Sequence, residues 1–241
     1  MSSEPSLPAT VEKRTNTGVR TFARCPHVAD SLDDVDVAVV GVPFDTGTTM
    51  RPGARFGPEA IRSASVMLRP YNPAQETAVF GAISVVDRGD LAVTPQNGER
   101  TAGQIAEQLA PVVAAGVRTL VLGGDHSIVL GELRAHAATH GPLGLVLLDA
   151  HADVWDQYYG DRYFHGTPFR RAHEEGLLDP SRSLLAGIRG SVYDGGDVEL
   201  PRELGFEVLS IDELASLSPA DYGARVRARC GNGPLFLSFD V

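Results

Sequence analysis

The feature that most constrains the fold is a regular alternation of short apolar runs with longer amphipathic segments from Val35 onward. The apolar runs are rich in β-branched residues and leucine; they are VDVAVVGV, ISVVD, VRTLVLGG, LGLVLLDA, SLLAGI, FEVLSI and PLFLSFDV. Alanine-rich segments between them, such as GERTAGQIAEQLAPVVAAG, have the spacing of helices. Strands that alternate with helices predict an α/β protein with a largely parallel sheet covered on both faces.

Length and composition predict how this pattern is organised. The chain has 241 residues, of which 43% are hydrophobic, and this fits one sizeable domain better than two. Residues 1–34 are rich in Pro, Ser, Thr and charge without periodicity, so they are expected to form an N-terminal arm. Residues 35–241 are expected to form the α/β domain.

Charge and hydropathy exclude several functions. The net charge is -10, which argues against a nucleic-acid partner because such partners require a basic face. No apolar run is long enough to span a bilayer and no signal peptide is evident, so a soluble, cytoplasmic protein without a membrane partner is expected. Cys25 and Cys230 are too few and too isolated for a disulfide framework and are expected to be free thiols.

Polar clusters follow several apolar runs directly. These clusters are GVPFDTGTT, GGDHS, DAHAD and SFD. In open parallel sheets, ligands bind outside the carboxyl ends of the strands. The clusters are therefore expected to build the functional site.

The DAHAD cluster carries Asp149, His151 and Asp153 at every second position. On an extended backbone these three side chains would project to one side, whereas on a helix they would diverge. The alternative is that the aspartates serve turns or helix caps and that the histidine is bonded to the backbone. In GGDHS, His126 is placed at the rim of a sheet, and the alternative is helix capping by Asp125 or Ser127.

The SFD cluster places Asp240 at the end of an apolar strand, where a carboxylate is costly unless it is paired or bound to a metal. The candidate ligands offer carboxylate oxygen and imidazole nitrogen but no sulfur, which suits Mn²⁺ or a similar divalent ion better than structural zinc. More carboxylates are present than one ion needs, which indicates a pair of ions. Neither a nucleotide-binding glycine loop nor a GxSxG nucleophile motif is present.

With these residues the chain resembles the ureohydrolases, the family of arginase and agmatinase. The matching segments run in the family's order from about residue 35 to the end; they are GVPFDTGTTMRPGARFGPEAIR, GGDHS, DAHAD, HGTPFRRAHEEGLL and SFD. The resemblance implies a three-layer α/β/α sandwich, two Mn²⁺ ions per subunit, and hydrolysis of a guanidino group to urea and an amine. It also implies a homo-oligomer, either a trimer or a hexamer.

The resemblance further implies the metal ligands. Those of one manganese are His126, Asp149, Asp153 and Asp240; those of the other are Asp149, His151 and Asp240. The family pattern after the last strand is Ser-x-Asp-x-Asp, and the sequence stops one residue before the second aspartate. An acidic residue that contacts the guanidinium is also expected beyond this point. The chain is therefore expected to be a C-terminally truncated piece of a longer enzyme.

The expected chemistry follows from the substrate. A guanidinium is a poor electrophile because its charge is delocalised, so attack requires a strong nucleophile at neutral pH. Two metal ions can supply it by lowering the pKa of a shared water from about 15.7 toward 7. Asp153 is expected to hold the nucleophile and accept a proton, and His165, in the HGTPF segment, is expected to protonate the departing amine. The alternative for His165 is a loop histidine that caps the helix beginning after Gly166.

The segment VWDQYYGDRYFHGTPFRR resembles the agmatinase-like branch, so agmatine, a small cation cleaved to putrescine and urea, is the predicted substrate. The residues expected to wall its alkyl chain are Trp155, Tyr158, Tyr159 and Tyr163. Asp156 or Asp161 is expected to meet the distal ammonium. A guanidino acid such as guanidinobutyrate is the alternative if Arg162 meets a carboxylate, and a loop whose aromatics only pack is the structural alternative.

Two other classes of function remain open at this point. A catalytically incomplete homologue would bind manganese without turnover. A deacetylase-like enzyme on a related fold would use one zinc ion, but the intact DAHAD triple argues against it.

Overall fold

The computed structural model of the protein describes residues 18–28 and 31–241. Much of the predicted N-terminal arm, namely residues 1–17, 29 and 30, lies outside the described residues. In the described part of the arm, Phe22–Arg24 forms a 3-10 turn, and the Phe22 N–H donates to Asp87 Oδ2 at 2.7 Å. None of the helices in the described residues is both long and apolar enough to cross a membrane.

Strands and helices alternate along the described chain, as the sequence predicts. The strands are β1 (Val37–Val42), β2 (Tyr71–Asn72), β3 (Thr77–Ala78), β4 (Val85–Asp90), β5 (Arg118–Gly123), β6 (Gly144–Leu148), β7 (Leu184–Ile188), β8 (Glu207–Ser210) and β9 (Leu235–Phe239). The helices are α1 (Gly57–Ser65), α2 (Val79–Ala82), α3 (Gly98–Ala114), α4 (Val129–His140), α5 (Pro168–Glu174), α6 (Gly195–Glu203), α7 (Ile211–Ser216) and α8 (Pro219–Cys230).

The chain divides into two compact units. The first comprises the described residues of Met1–Asp45 together with Pro52–Val93 and Gln108–Gly124. It holds a three-stranded sheet in the order β4-β1-β5, in which β1 pairs in parallel with both neighbours. Apolar residues of β1, β4, α3 and the turn before β5 form a core that includes Ala38, Val86, Val112 and Val117.

The second unit comprises Thr46–Arg51, Thr94–Glu107 and Asp125–Val241. Its four-stranded sheet has the order β8-β7-β6-β9, and all three strand pairs are parallel. The prediction of an α/β protein with parallel sheets is therefore confirmed. All of the metal ligands expected from the sequence belong to this unit.

Strand β6 lies inside the second sheet and is buried along almost its whole length. Its sequence, GLVLL, is apolar without alternation, as expected for a strand covered on both faces. Gly144 is required at its start, because a side chain there would come within 2.7 Å of the Arg182 carbonyl oxygen. The strand leads straight into the DAHAD cluster.

Strand β9 is the edge neighbour of β6 and brings the SFD cluster to the same end of the sheet. Its register pairs Leu147 with Ser238 and Leu148 with Phe239, and the Asp240 N–H donates to the Leu148 carbonyl at 2.9 Å. Ser238 is buried, whereas its strand neighbours Leu237 and Phe239 are exposed. Asp240 is thus carried to the position where β6 ends.

The two cysteines are free thiols, as predicted. Cys25 is buried in the first unit and Cys230 is buried at the end of α8 in the second. Burial raises the pKa of the Cys25 thiol to about 11, and the nearby Asp87 adds to this. The Cys25 thiol is therefore held in its protonated, unreactive form at neutral pH.

Candidate metal centre and cavity

The residues of the DAHAD cluster do not continue strand β6, and this corrects the strand-based prediction. The strand ends at Leu148, and residues 149–153 form an irregular segment in which Asp153 has a φ of 50°. Simple alternation on an extended backbone therefore does not explain how these side chains converge. The irregular backbone sends His151 and Asp153 to two different groups around Asp149.

The first group, called here the buried triad, consists of His126, Asp149 and Asp153. One ligand atom from each lies within 4.8 Å of the other two. His126 Nδ1 is 2.7 Å from Asp153 Oδ2 and 3.2 Å from Asp149 Oδ2. All three side chains are nearly inaccessible to solvent, so charges placed there are poorly screened.

His126 is held from both sides. It begins a 3-10 turn, His126–Ile128, that leads into α4, and Asp125 caps this turn by accepting from the Ser127 N–H at 2.9 Å. Its Nε2 lies 2.7 Å from Ser238 Oγ, and its ring packs edge-on against Phe169 at 5.4 Å. When Nδ1 is free to bind a metal, Nε2 carries the proton and donates to Ser238, which fixes the tautomer.

The second group, called here the exposed triad, consists of Asp149, His151 and Asp240, and its ligand atoms also lie within 4.8 Å of one another. The His151 N–H donates to Asp149 Oδ1 at 2.8 Å, and His151 Nδ1 lies 3.5 Å from the same oxygen. The His151 side chain is 69% exposed. Asp149 is thus the member common to both triads.

The residues present fit a divalent metal. The donors are carboxylate oxygens and imidazole nitrogens, without sulfur. Among the described residues, Asp149 Oδ2 is buried without a hydrogen-bond partner. It lies 3.2 Å from His126 Nδ1, but that nitrogen is directed at Asp153. An unpartnered buried carboxylate oxygen is costly unless a cation neutralises it.

The pKa shifts show how strongly the site attracts positive charge. Burial by itself would lower the pKa of His126, but the adjoining carboxylates of Asp149 and Asp153 outweigh it and raise the pKa to about 10. The Asp240 residue is largely exposed, yet its carboxyl group is partly desolvated, which raises its pKa. Asp149 and Asp153 raise the Asp240 pKa further, while His126 opposes the shift.

A cavity of about 440 Å³ opens beside the triads in the second unit. His151, Asp153 and His165 line it on the side of the triads. Further along, it is lined by the segment after β7, including Arg189 and Tyr193, and by residues along α6, including Asp197 and Arg202. This volume accommodates a small organic substrate.

Aromatic side chains form one wall of the cavity. Trp155 stacks on Tyr158 with ring centroids 6.1 Å apart and meets Tyr193 at 5.5 Å. The Trp155 Nε1–H donates to Asp197 Oδ1 at 3.0 Å, and the Tyr193 N–H donates to Asp197 Oδ2 at 3.1 Å. Of the aromatics named from the sequence, Trp155 and Tyr158 line the cavity, whereas Tyr159 and Tyr163 are not among its lining residues.

Asp156 and Arg162, both considered for substrate binding, lie elsewhere. Arg171 Nη2 donates to Asp156 Oδ1 at 2.6 Å, and this bond, opposed by a little desolvation, holds the pKa of Asp156 below its usual value. Arg162 Nη2 donates to Glu174 at 2.9 Å. Neither Asp156 nor Arg162 lines the cavity. Both residues are therefore engaged in ion pairs outside the cavity lining.

His165 lines the cavity but does not cap helix α5. That helix begins at Pro168 with Thr167 as its N-terminal cap residue. The His165 N–H instead donates to the Gly47 carbonyl at 3.0 Å, and its Nε2 lies 3.4 Å from Thr49 Oγ1. The capping alternative for His165 is wrong.

Ser238, Tyr193 and Asp197 are among the residues of the site that the sequence analysis did not identify. Ser238 lies within the SFD cluster, but its contact with His126 depends on the register between β9 and β6. Tyr193 and Asp197 follow β7, the strand SLLAGI. The rule applied to the other strands, that ligands bind beyond their carboxyl ends, would have pointed to these two.

Comparisons with known proteins match most of the chain. The Arginase family model matches residues 35–241. A guanidinobutyrase from Pseudomonas aeruginosa is 44% identical over 226 residues, which cover 93% of this chain and 71% of that protein. A mitochondrial agmatinase from Gallus gallus is 45% identical over 224 residues, covering 93% and 66%.

The solved structures give the same result for the fold. The proclavaminate amidino hydrolase from Streptomyces clavuligerus superposes with a TM-score of 0.87 and 36% identity, over 95% of this chain and 75% of that one. The predicted arginase-like α/β fold is therefore confirmed. The chain spans about two thirds to three quarters of the length of these three relatives.

Proposed function

The chain belongs to the arginase family, and we propose that it hydrolyses a small guanidino compound to urea and a primary amine with two Mn²⁺ ions. Relatives named for the hydrolysis of guanidino compounds support the reaction class. One observation carries the proposal: two triads share Asp149, and this residue keeps a buried carboxylate oxygen without a hydrogen bond among the described residues.

The buried triad would hold one ion and the exposed triad the other, with Asp149 common to both. Asp240 was expected from the sequence as a ligand of both ions, but among the described residues it groups with the exposed triad. Manganese is the proposed metal because oxygen and imidazole donors without thiolate suit it. When bound, the ions supply acidity to water, so that a nucleophile forms at neutral pH.

The chain's own residues position the reaction. Asp153 belongs to the buried triad and also lines the cavity, so its carboxylate can take a proton from water beside the guanidinium carbon. His165 lines the same cavity and is the residue proposed to give a proton to the nitrogen of the departing amine. The wall of Trp155 and Tyr158 excludes water from the alkyl chain of the substrate.

Agmatine is the first proposed substrate, cleaved to putrescine and urea. An acidic residue in the cavity favours a cation, and Asp197 takes the place that the sequence analysis gave to Asp156. Trp155 and Tyr193 hold this carboxylate in position.

A guanidino acid such as guanidinobutyrate is the second candidate, and two arginines of the cavity favour it. Arg189 Nη1 donates to the Gly187 carbonyl and Arg202 Nη1 to the Val198 carbonyl, and neither arginine forms an ion pair within the described residues. Their remaining N–H groups suit a substrate carboxylate.

The test is release of urea and amine by the manganese-loaded protein from agmatine and from guanidinobutyrate at matched concentrations. We expect equal amounts of urea and amine from at least one of them. Arg202→Ala should raise the KM for guanidinobutyrate and leave agmatine unaffected, with the exposed Arg100→Ala as the control. A protein that binds two ions and releases no urea from either compound would instead be a metal-binding homologue without catalysis.

The sequence also predicts a homo-oligomer, as a trimer or a hexamer, and a cytoplasmic location. Both are part of the proposal. Light scattering of the purified protein checks the first, and cell fractionation checks the second.

A further inference from the structure

Asp125 precedes the metal ligand His126 but makes a bond of its own that no metal role explains. Besides capping the turn through Ser127, its Oδ2 accepts the Gly47 N–H at 2.7 Å. Asp125 and Gly47 are both buried, although Gly47 belongs to the short segment Thr46–Arg51, called here the 46–51 loop. The carboxylate therefore ties this loop to the start of α4.

The fit between Gly47 and Asp125 is tight. A side-chain carbon added at Gly47 would lie 2.8 Å from Ser127 Oγ and 2.9 and 3.0 Å from the two Asp125 oxygens. The first two distances are shorter than side-chain carbons show in folded proteins, so a side chain at this position would displace the Ser127 hydroxyl or the Asp125 carboxylate. Glycine is thus needed here for close approach of the backbone.

The same loop holds His165 at two points. The Gly47 carbonyl accepts the His165 N–H at 3.0 Å, and Thr49 Oγ1 lies 3.4 Å from His165 Nε2. Thr49 and His165 both line the cavity.

We propose that Asp125 is a positioning residue for His165: through Gly47 it fixes the 46–51 loop, and the loop fixes both the backbone and the ring of His165. The inference rests on the proposed function, in which His165 serves the departing amine. It gives the aspartate of GGDHS a role distinct from metal ligation and from capping alone.

The chain offers a matched control in the segment Asp179–Ser181. Asp179 accepts the Ser181 N–H at 3.0 Å and the Ser181 hydroxyl at 2.6 Å, so it caps its turn as Asp125 does. Within the described residues, the Asp179 carboxylate bonds only to Ser181 of its own turn. Asparagine is as good a cap as aspartate, so Asp179→Asn and Asp125→Asn both preserve the cap.

The experiment uses the full 241-residue chain. Amide exchange is measured by NMR on the metal-free protein, and steady-state kinetics are measured on the protein loaded with Mn²⁺. In Asp125→Asn, an amide N–H replaces one acceptor oxygen, and the Gly47 and His165 amides should exchange at least about tenfold faster. The kcat should fall about tenfold with little change in KM and in bound metal, since second-layer contacts carry about this effect. Asp179→Asn should change none of these.

The exposed residue Thr49 gives a second test that does not threaten folding. Thr49→Val should alter the His165 ring resonances and lower kcat a few-fold, and Thr49→Ser should restore both. Unchanged exchange at Gly47 and His165 in Asp125→Asn would overturn the inference, as would faster exchange with an unaltered kcat. Absence of urea from the wild-type chain would count against the proposed function alone, because the exchange data still decide whether Asp125 holds the loop.

Discussion

The buried triad and the exposed triad use the same kinds of side chain in different environments. The His126 side chain is 9% exposed and the His151 side chain is 69% exposed. His126 is fixed through its second ring nitrogen by Ser238, whereas His151 approaches Asp149 at 3.5 Å from the solvent side. The ligands of the buried triad are therefore held in place before a metal binds, whereas the ligands of the exposed triad have to be ordered by the metal.

This difference predicts an order of binding. A ligand set that is already ordered loses less conformational entropy on binding, and charge in a poorly screened site attracts a cation more strongly. We expect the buried triad to bind metal more tightly than the exposed triad. Asp149, shared by both, couples the two sites.

The largest effect is expected from Asp149→Asn, because it removes the residue common to both triads. Bound manganese should fall from two ions to none at micromolar free metal, and activity should fall by more than about 100-fold, beyond the 10- to 100-fold that loss of an outer-layer contact causes. Metal analysis after dialysis measures the first effect and urea release the second. Asp156→Asn, which changes an ion pair outside the triads, serves as the control. If Asp149→Asn retained one ion, Asp149 would not be a ligand that both sites share.

Substitution of the two histidines should sharpen the comparison. His126→Ala leaves buried carboxylates without their partner and should destabilise the metal-free protein by about 3 kcal/mol. His151→Ala removes a solvent-exposed contact and should cost less than about 1 kcal/mol. Urea denaturation without metal measures both, and metal titration should show loss of the tighter site only in His126→Ala. Equal destabilisation by the two changes would contradict the distinction between the triads.

The sequence predicts the site residues that follow local signals, and it misses those that depend on contacts between distant segments of the chain. His126, Asp149 and Asp240 were identified because each follows an apolar run, and the carboxyl end of a parallel strand is a local signal. The ion pair of Asp156 with Arg171 could not be predicted, because the sequence does not reveal how the helix that carries Arg171 docks. The same holds for Ser238, which reaches His126 only through the pairing of β9 with β6.

The fold itself was more predictable than the path of the backbone at the site. Apolar runs such as LGLVLLDA locate the strands because burial on both faces requires them. The convergence of Asp149 and Asp153 was expected from extended geometry, but it arises from a backbone that turns, with Asp153 at a φ of 50°. Side-chain alternation predicted one cluster of Asp149, His151 and Asp153, whereas the turned backbone divides His151 and Asp153 between two triads that share Asp149.

The pH dependence of metal binding offers a third way to distinguish the triads. His126 has a pKa of about 10 in the metal-free protein, so at neutral pH it carries a proton that the metal must displace. Affinity at the buried triad should therefore rise about tenfold per pH unit from pH 7 to pH 9. Calorimetry in two buffers of different ionisation enthalpy should detect one proton released, and His126→Ala should abolish this release. Binding without proton release would mean that the metal does not engage His126.

The smallest effect is expected from Ser238→Ala, which removes the hydroxyl that accepts from His126 Nε2. Removing an outer-layer partner of a metal-bound histidine weakens metal binding by about 10- to 100-fold. The loss of affinity should be confined to the buried triad. In a metal titration, the dissociation constant of the tighter site should therefore approach that of the weaker site, which should stay unchanged. Ser238→Thr retains a hydroxyl and should restore most of the difference. If Ser238→Ala weakened both constants equally, the preorganisation of His126 would not be the source of the contrast between the two sites.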